Sequence, residues 1–418
     1  MFKFLHIADV HLDTTFLCRR PELRDRLREA LRRSFEAAVD CAIEEQVNAL
    51  LIAGDLFDND RLSWRTERSL VEQCRRLDAA GITTIYVSGN HDPGGNRYRA
   101  VAIPWPGRFR YLGAGEPVIV DVAGRDGELA GRVVGAGHAS AREGTNLAAR
   151  FPRADGPAPH VGLLHTMVSG ATGHDAHERY APCSLDDLRK PGYDYWALGH
   201  IHVRQQVCDV SNAYYPGNIQ GRHARESGTK GGLLVKLQDG LAPQVAFRRF
   251  APVEWENIRL DKLSDVSSLE GLVRILREAL EPEEPDGHDD RAGARMLRVM
   301  LSGPSALYNR LGRDAIAELE EELLSALQRH EVLDVEIRLD AVTRPVDLSE
   351  FRGQPHLLGE VLSLLEAAEQ DPEILAGLVP DQLAGLQDSE DGVRLIYARS
   401  LLDGLEREAG SRLLKEKR

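Results

Sequence analysis

Cysteine is scarce: five in 418 residues, at positions 18, 41, 74, 183 and 208, with no Cys-x-x-Cys pair. An odd, scattered set argues against a disulfide framework or a thiolate zinc site and leaves reduced, packed thiols as the expectation. Long apolar runs are missing too. No stretch approaches the roughly 20 residues that a membrane-spanning helix needs. Asp9 and His11 interrupt the first apolar run too early for a signal peptide. A cytoplasmic protein with no membrane partner is expected. There is no Gly-x-x-x-x-Gly-Lys-Ser/Thr phosphate loop, so any dependence on ATP would require a second protein. No internal repeat is present.

Positive charge is short overall, with a net charge of −14. That balance looks wrong for a nucleic-acid binder until its distribution is read. Residues 1–250 carry 32 Lys and Arg against 30 Asp and Glu, whereas residues 251–418 carry 20 against 36. The acidity belongs to the C-terminal part. The N-terminal part is near neutral before any metal is counted.

What is present is an alternation of short apolar runs and amphipathic stretches. Phe2–Ile7, Ala49–Ile52 and Thr83–Val87 read as strands, and Glu22–Gln46 and Ser63–Ala80 as helices. This βαβαβ pattern predicts an α/β sheet with parallel strands. Further strands are expected at Val118–Val122, Arg132–Ala136, Val161–Leu164, Tyr195–Leu198, Ala213–Tyr215, Leu233–Leu237 and Val245–Phe250, enough for a second sheet packed on the first. After Ala251-Pro252 the pattern restarts. Strands at Glu256–Leu260, Met296–Leu301 and Val335–Leu339 alternate with helices at Val266–Ala279 and Ala315–Arg329, around an acidic loop at Glu281–Asp290 that contains His288. A solvated loop is the expectation there. From Ser349 the signal is helical, at Pro355–Ala368 and Gly392–Glu408. The expected architecture is an α/β two-sheet β-sandwich flanked by helices over 1–251, a small α+β cap over 252–345 and a helical segment over 346–418. That last segment either folds on its own domain or docks another chain's helices.

Five strands end in the same way. They run into Asp9-Val-His11, Gly54-Asp55-Leu-Phe-Asp58, Gly89-Asn90-His91-Asp92, His165 and Gly199-His200-Ile-His202. Ligands of open α/β sheets bind at the carboxyl ends of strands. Singly, each carboxylate could be a helix cap and each glycine a turn residue. Together they deliver Asp, His and Asn side chains to one edge. Oxygen and imidazole donors without thiolate suit Mn²⁺, Fe²⁺ or Zn²⁺. Two such ions about 3.5–4 Å apart need a bridging carboxylate, and Asp55 is the candidate. Glycines beside Asp55, Asn90 and His200 let the backbone approach closely.

This set resembles the signature of the calcineurin-like metallophosphoesterases across about the first 250 residues. The resemblance implies a metallophosphoesterase core with two divalent ions, Mn²⁺ foremost. One would be held by Asp9, His11, Asp55 and His202, the other by Asp55, Asn90, His165 and His200. His91 would donate a proton to the leaving oxygen and Asp92 would orient it. Within that superfamily the chain looks most like the SbcD-type nucleases of DNA repair, in particular a YhaO-like branch. The carrying residues are Phe4–Asp13, Gly54–Asp58 and Gly199–His202. Tyr215-Pro-Gly-Asn218-Ile-Gln-Gly-Arg222 is similar to the segment that follows the last histidines in those nucleases, with Asn218 in place of the usual Ser.

The implied activity is a DNA exonuclease or endonuclease. The implied partners are DNA and an SbcC-like coiled-coil ATPase, and a homodimer is left open. Two basic clusters could meet phosphates: Arg97, Arg99, Arg108 and Arg110 around Trp105, and Arg222, His223, Arg225 and Lys230 after the last motif. Ordinary solvated loops are the alternative for both. Two other functions share the sequence features. One is a phosphoesterase acting on a small phosphodiester or a phosphoprotein; the other is a non-catalytic scaffold, which the intact ligand set disfavours.

Overall fold

The structure is a computed structural model. It describes residues 1–17, 20–58, 62–95, 102–113, 115–172, 180–208, 212–261, 263–264, 266–280, 293–311, 313–345, 348–371, 374–375, 402 and 405–413. The chain divides into two compact units, the first comprising Met1–Glu256 with a short segment ending at Met296, so that the strands Val253–Leu260 and Ala294–Pro304 cross from one to the other.

In the first unit, β1 (Phe2–Ile7), β2 (Ala49–Ala53), β3 (Thr83–Val87) and β4 (Phe109–Leu112) lie side by side and parallel. The helices between them are long enough to make right-handed crossovers. α1 (Pro21–Glu44) starts with proline, whose fixed φ suits the first helical turn, and buries Leu23, Leu27, Ala30, Leu31 and Phe35 at helical spacing. α2 (Trp64–Ala79) is capped by Ser63, whose side chain accepts from Thr66 N.

A second sheet has the order β5 (Val118–Ala123), β6 (Leu129–Ala136), β7 (His160–His165), β8 (Tyr195–Gly199), β10 (Ala213–Tyr215), β9 (Gln205–Cys208). Its centre, β6 to β8, is also parallel. β11 (Gly231–Leu237) and β12 (Gln244–Arg249) close the first sheet antiparallel beside β1. α3 (Leu185–Arg189) accepts the indole N–H of Trp196 through Leu188 O, which fixes it on the outer side of β8.

The sheets pack face to face. Phe2, Phe4, Leu51, Ile85 and Val235 of the first meet Val133, Val161, Leu163 and Tyr195 of the second. Strands buried on both faces read as continuous apolar runs, and β2 is Ala-Leu-Leu-Ile-Ala with every residue buried. The expected two-sheet sandwich with helices outside is the fold adopted. β4, β9 and α3 were not foreseen, and Arg110 therefore lies in a strand rather than a loop, with Arg108 in the turn before it.

The second unit has the expected strand–helix alternation. β13 (Val253–Leu260), β14 (Ala294–Pro304) and β15 (Val332–Thr343) form one sheet, with α4 (Leu269–Leu280) and α5 (Arg313–Ala326) between them in sequence. Leu272, Leu276, Val299, Leu301 and Leu323 make its core. α6 (Leu357–Gln370) and α7 (Leu405–Leu413) are joined through Arg352, which pairs with Glu366 and Glu406. The acidic loop with His288, Arg97 and Arg99, and most of the expected Gly392–Glu408 helix lie outside the described residues. Among the described residues no helix is long and apolar enough to cross a membrane.

Candidate metal centre

The carboxyl ends of β1, β2, β3, β7 and β8 meet at one edge of the sandwich. The loops after β1 and β2 are zipped together: His11 N donates to Asp55 O at 2.9 Å, Leu12 N to Leu56 O at 3.0 Å and Asp58 N to Leu12 O at 3.1 Å. The zip forces side chains into the gap through unusual backbone. Asp9, His11, Asp55 and His200 all have positive φ, between 48° and 104°. Left-handed conformations of this kind cost a non-glycine residue roughly 1–3 kcal/mol each and cluster at functional sites. Two glycines give the room. A Cβ on Gly89 would lie 2.2 Å from Asp55 Oδ1, and one on Gly54, at φ 87°, would lie 2.2 Å from His165 Nδ1.

All seven expected ligands come together. His11 Nε2 is 3.3 Å from His202 Nε2, which is 3.6 Å from Asp9 Oδ1. Asp55 Oδ2 is 3.8 Å from His11 Nε2 and 3.4 Å from His165 Nε2. Asn90 Oδ1 lies 3.0 Å from His165 Nε2 and 3.2 Å from His200 Nδ1. Asp9, His11, Asp55, His165, His200 and His202 are all buried.

The hydrogen bonds around the rings show which ring atoms could accept a cation. His165 Nδ1 donates to Ala53 O at 2.9 Å, so its Nε2 carries a lone pair. That lone pair faces Asn90 Oδ1 and Asp55 Oδ2, both acceptors. His11 Nδ1 is 3.1 Å from Asp58 Oδ1 and His202 Nδ1 is 2.6 Å from Glu226 Oε1, so two further Nε2 atoms face each other. Acceptors converging in a dry site favour a cation, or a ring proton, between them. Burial opposes charge on the rings themselves, lowering His11 to about 3 and His165 well below the usual range. Burial and the neighbouring Asp92 and Asp9 likewise push Asp55 well above the carboxylate range. His202 goes the other way: burial works against its charged form, but Asp9 and Glu226 outweigh it. The donor set fits divalent cations.

His91 lies beside this cluster and is the open member of the group, with a side chain 40% exposed. Its ring packs edge-on against His11, 4.8 Å between centroids. The expected orienting role of Asp92 is corrected by the structure. Asp92 accepts from Gly89 N at 2.7 Å, Tyr86 Oη at 2.5 Å and Phe57 N at 3.1 Å, and is buried away from His91. Successive side chains of the tight turn point apart, so the neighbour in sequence pins the turn instead. The carboxylate that holds His91 Nδ1 is Asp58, at 2.9 Å. Burial disfavours charge on His91, but this bond and the nearby Asp55 and Asp58 charges dominate and raise its pKa to about 9.

The DNA-facing expectation for Arg222 is also corrected. Its side chain is only 14% exposed and lies among Glu226, Asp58 and His202. His223 and Arg225 are exposed, and His223 lies 3.5 Å from Glu226. Lys230 is buried and donates to His202 O at 3.1 Å. Asp58 stood in a quoted motif without a role. Glu226 carried no signal at all, because its partner is 24 residues away.

Fold and site together define a metal-dependent hydrolase of phosphate esters. Residues 2–204 match the calcineurin-like phosphoesterase family. The uncharacterized metallophosphoesterase YhaO of Bacillus subtilis is 32% identical over 332 residues, 78% of each chain. The DNA double-strand break repair protein Mre11 of Aeropyrum pernix is 31% identical over 58% of this chain and 59% of its own. The D component of the nuclease SbcCD of Rhodobacter capsulatus is 27% identical over 58% of this chain and 68% of its own. The chain belongs to the calcineurin-like phosphoesterases and is a metal-dependent phosphodiesterase. The resemblance to the SbcD type is met by these relatives.

Proposed function

We propose that this phosphodiesterase is a DNA nuclease of the SbcD kind, using two divalent ions, Mn²⁺ foremost, in DNA repair. The observation that carries it is the edge-on His91 beside the converging lone pairs, in a chain with one relative named as a DNA double-strand break repair protein and another as a nuclease. In this reading Asp9, His11, Asp55 and His202 hold one ion, and Asp55, Asn90, His165 and His200 the other. When bound, the ions supply Lewis-acid charge for activating water and for the phosphoryl oxygens. The chain supplies the rest. His91 gives its Nε2 proton to the leaving oxygen while Asp58 holds Nδ1. The exposed His223 and Arg225 meet DNA phosphates; Arg222 does not.

The division into a nuclease domain over 1–251, a cap over 252–345 and a docking segment over 346–418 belongs to the same reading. Leu357 and Leu364 of α6 are 62% and 49% exposed, an apolar face suited to an SbcC-like ATPase. The deciding experiment sets purified protein with Mn²⁺ against end-labelled duplex DNA and bis-p-nitrophenyl phosphate in parallel. Metal-dependent cleavage of both is expected. Hydrolysis of the aryl ester with DNA untouched, over a range of end structures, would move the substrate to a small phosphodiester or a phosphoprotein.

A further inference from the structure

Behind the converging imidazoles lie two carboxylates and one guanidinium. Glu226 accepts from His202 Nδ1 at 2.6 Å, Arg222 N at 2.7 Å and Asn218 Nδ2 at 2.9 Å. Asp58 Oδ1 is shared between His11 Nδ1 at 3.1 Å and His91 Nδ1 at 2.9 Å. Arg222 bridges these two acids, with Nη2 3.1 Å from Glu226 Oε1 and Nη1 3.5 Å from Asp58 Oδ1. Its Nη2 also lies 3.3 Å from His202 Nδ1, but both are donors and the shorter bond to Glu226 takes the ring proton. Its buried Nε has no hydrogen-bond partner. The guanidinium makes its contacts through its two ends.

We propose that Arg222 is a positioning residue that clamps Asp58 and Glu226 together. The clamp keeps three rings, His11, His202 and His91, protonated at Nδ1 with Nε2 turned to the reacting centre. One cation thus orients two ligands of the first ion site and the proton donor. The planar fork reaches two acids that an ammonium cannot reach at once. The inference rests on the metal and proton roles given above, but not on DNA being the substrate.

The test uses the full chain with Arg222→Met and Arg222→Lys. Mn²⁺ binding is followed by calorimetry, and the Zn²⁺-loaded protein, ¹⁵N-labelled at histidine, is examined by NMR. In the wild type, His11 and His202 should show Nδ1–H signals protected from exchange, and two ions should bind. In Arg222→Met one ion should bind about 10–100-fold more weakly, the range typical for loss of an outer partner of a metal ligand. The His202 Nδ1–H signal should be lost, while the second ion and the His165 Nδ1–H signal stay unchanged. Arg222→Lys, which keeps the charge, should restore the binding only in part. If Arg222→Met fails to fold, Arg222→Lys decides through the same signals. Unchanged Nδ1–H signals and unchanged affinities for both ions, in whichever variant folds, would overturn the proposal. Equal weakening of both ions would do so as well.

Discussion

Replacing Asp58 with Asn separates the two carboxylates that flank His91. In Asp58→Asn the 2.9 Å contact to His91 Nδ1 loses its charge. A hydrogen bond to a charged group is worth about 1.5–3 kcal/mol. If that difference is felt mainly when the proton moves, the rate falls roughly 10- to 150-fold, at about 1.4 kcal/mol per tenfold. Removing the donor outright, His91→Ala, should cost up to the full ~10²–10⁴-fold of a general acid. The two should add only in part, because once His91 is gone Asp58 is left holding His11 alone. The assay is kcat across aryl phosphodiesters of graded leaving-group pKa, with metal content measured on the same samples. Good leaving groups need little protonation, so both variants should approach the wild type there. The reasoning fails if Asp58→Asn leaves the leaving-group dependence unchanged, or if Asp92→Asn reproduces His91→Ala with both metals still bound.

Three further outcomes are expected. Asp55→Ala should lose metal and activity together, as chelation would, because Asp55 reaches both His11 and His165; two ions still bound, by elemental analysis, would refute the bridging role. Gly89→Ala should bind metal poorly and melt earlier, since its Cβ would meet Asp55 Oδ1 at 2.2 Å and overpacking costs about 1–3 kcal/mol; a native melting curve with full metal content would contradict this. Cys74 and Cys183 should stay silent to a thiol reagent at pH 8 until the protein unfolds, because burial raises both thiols, Cys183 to about 12; rapid labelling of either in a Cys→Ser series would show that the core around it opens.

The candidate ligands were legible because each sits within a few residues of a strand end, and the strands are apolar runs that declare themselves. Gly89 and Gly54 were legible for the same reason, as glycines beside chemistry. The support around the ligands was not. Asp58 reaches His91 across the 33 positions that separate β2's loop from β3's, and adjacency in sequence pointed to Asp92 instead. Arg222 read as a free surface cation because nothing local reveals a buried Glu226 one helical turn ahead. β4 was hidden by Arg108 and Arg110, and α3 by its five-residue length. Short elements at sheet edges are set by the neighbours that they complete, not by their own pattern.

The site is assembled from chain segments that are remote from one another. His11 and His202, whose Nε2 atoms are 3.3 Å apart, are separated by 191 positions. Neither sheet alone holds a full ligand set, since Asp9, His11, Asp55 and Asn90 follow strands of one and His165, His200 and His202 follow strands of the other. Such long loop closures come late in folding. A half-folded chain therefore carries an incomplete donor set, and the full set forms only when the sandwich closes. Docking of the sheets is in effect the maturation step of the enzyme.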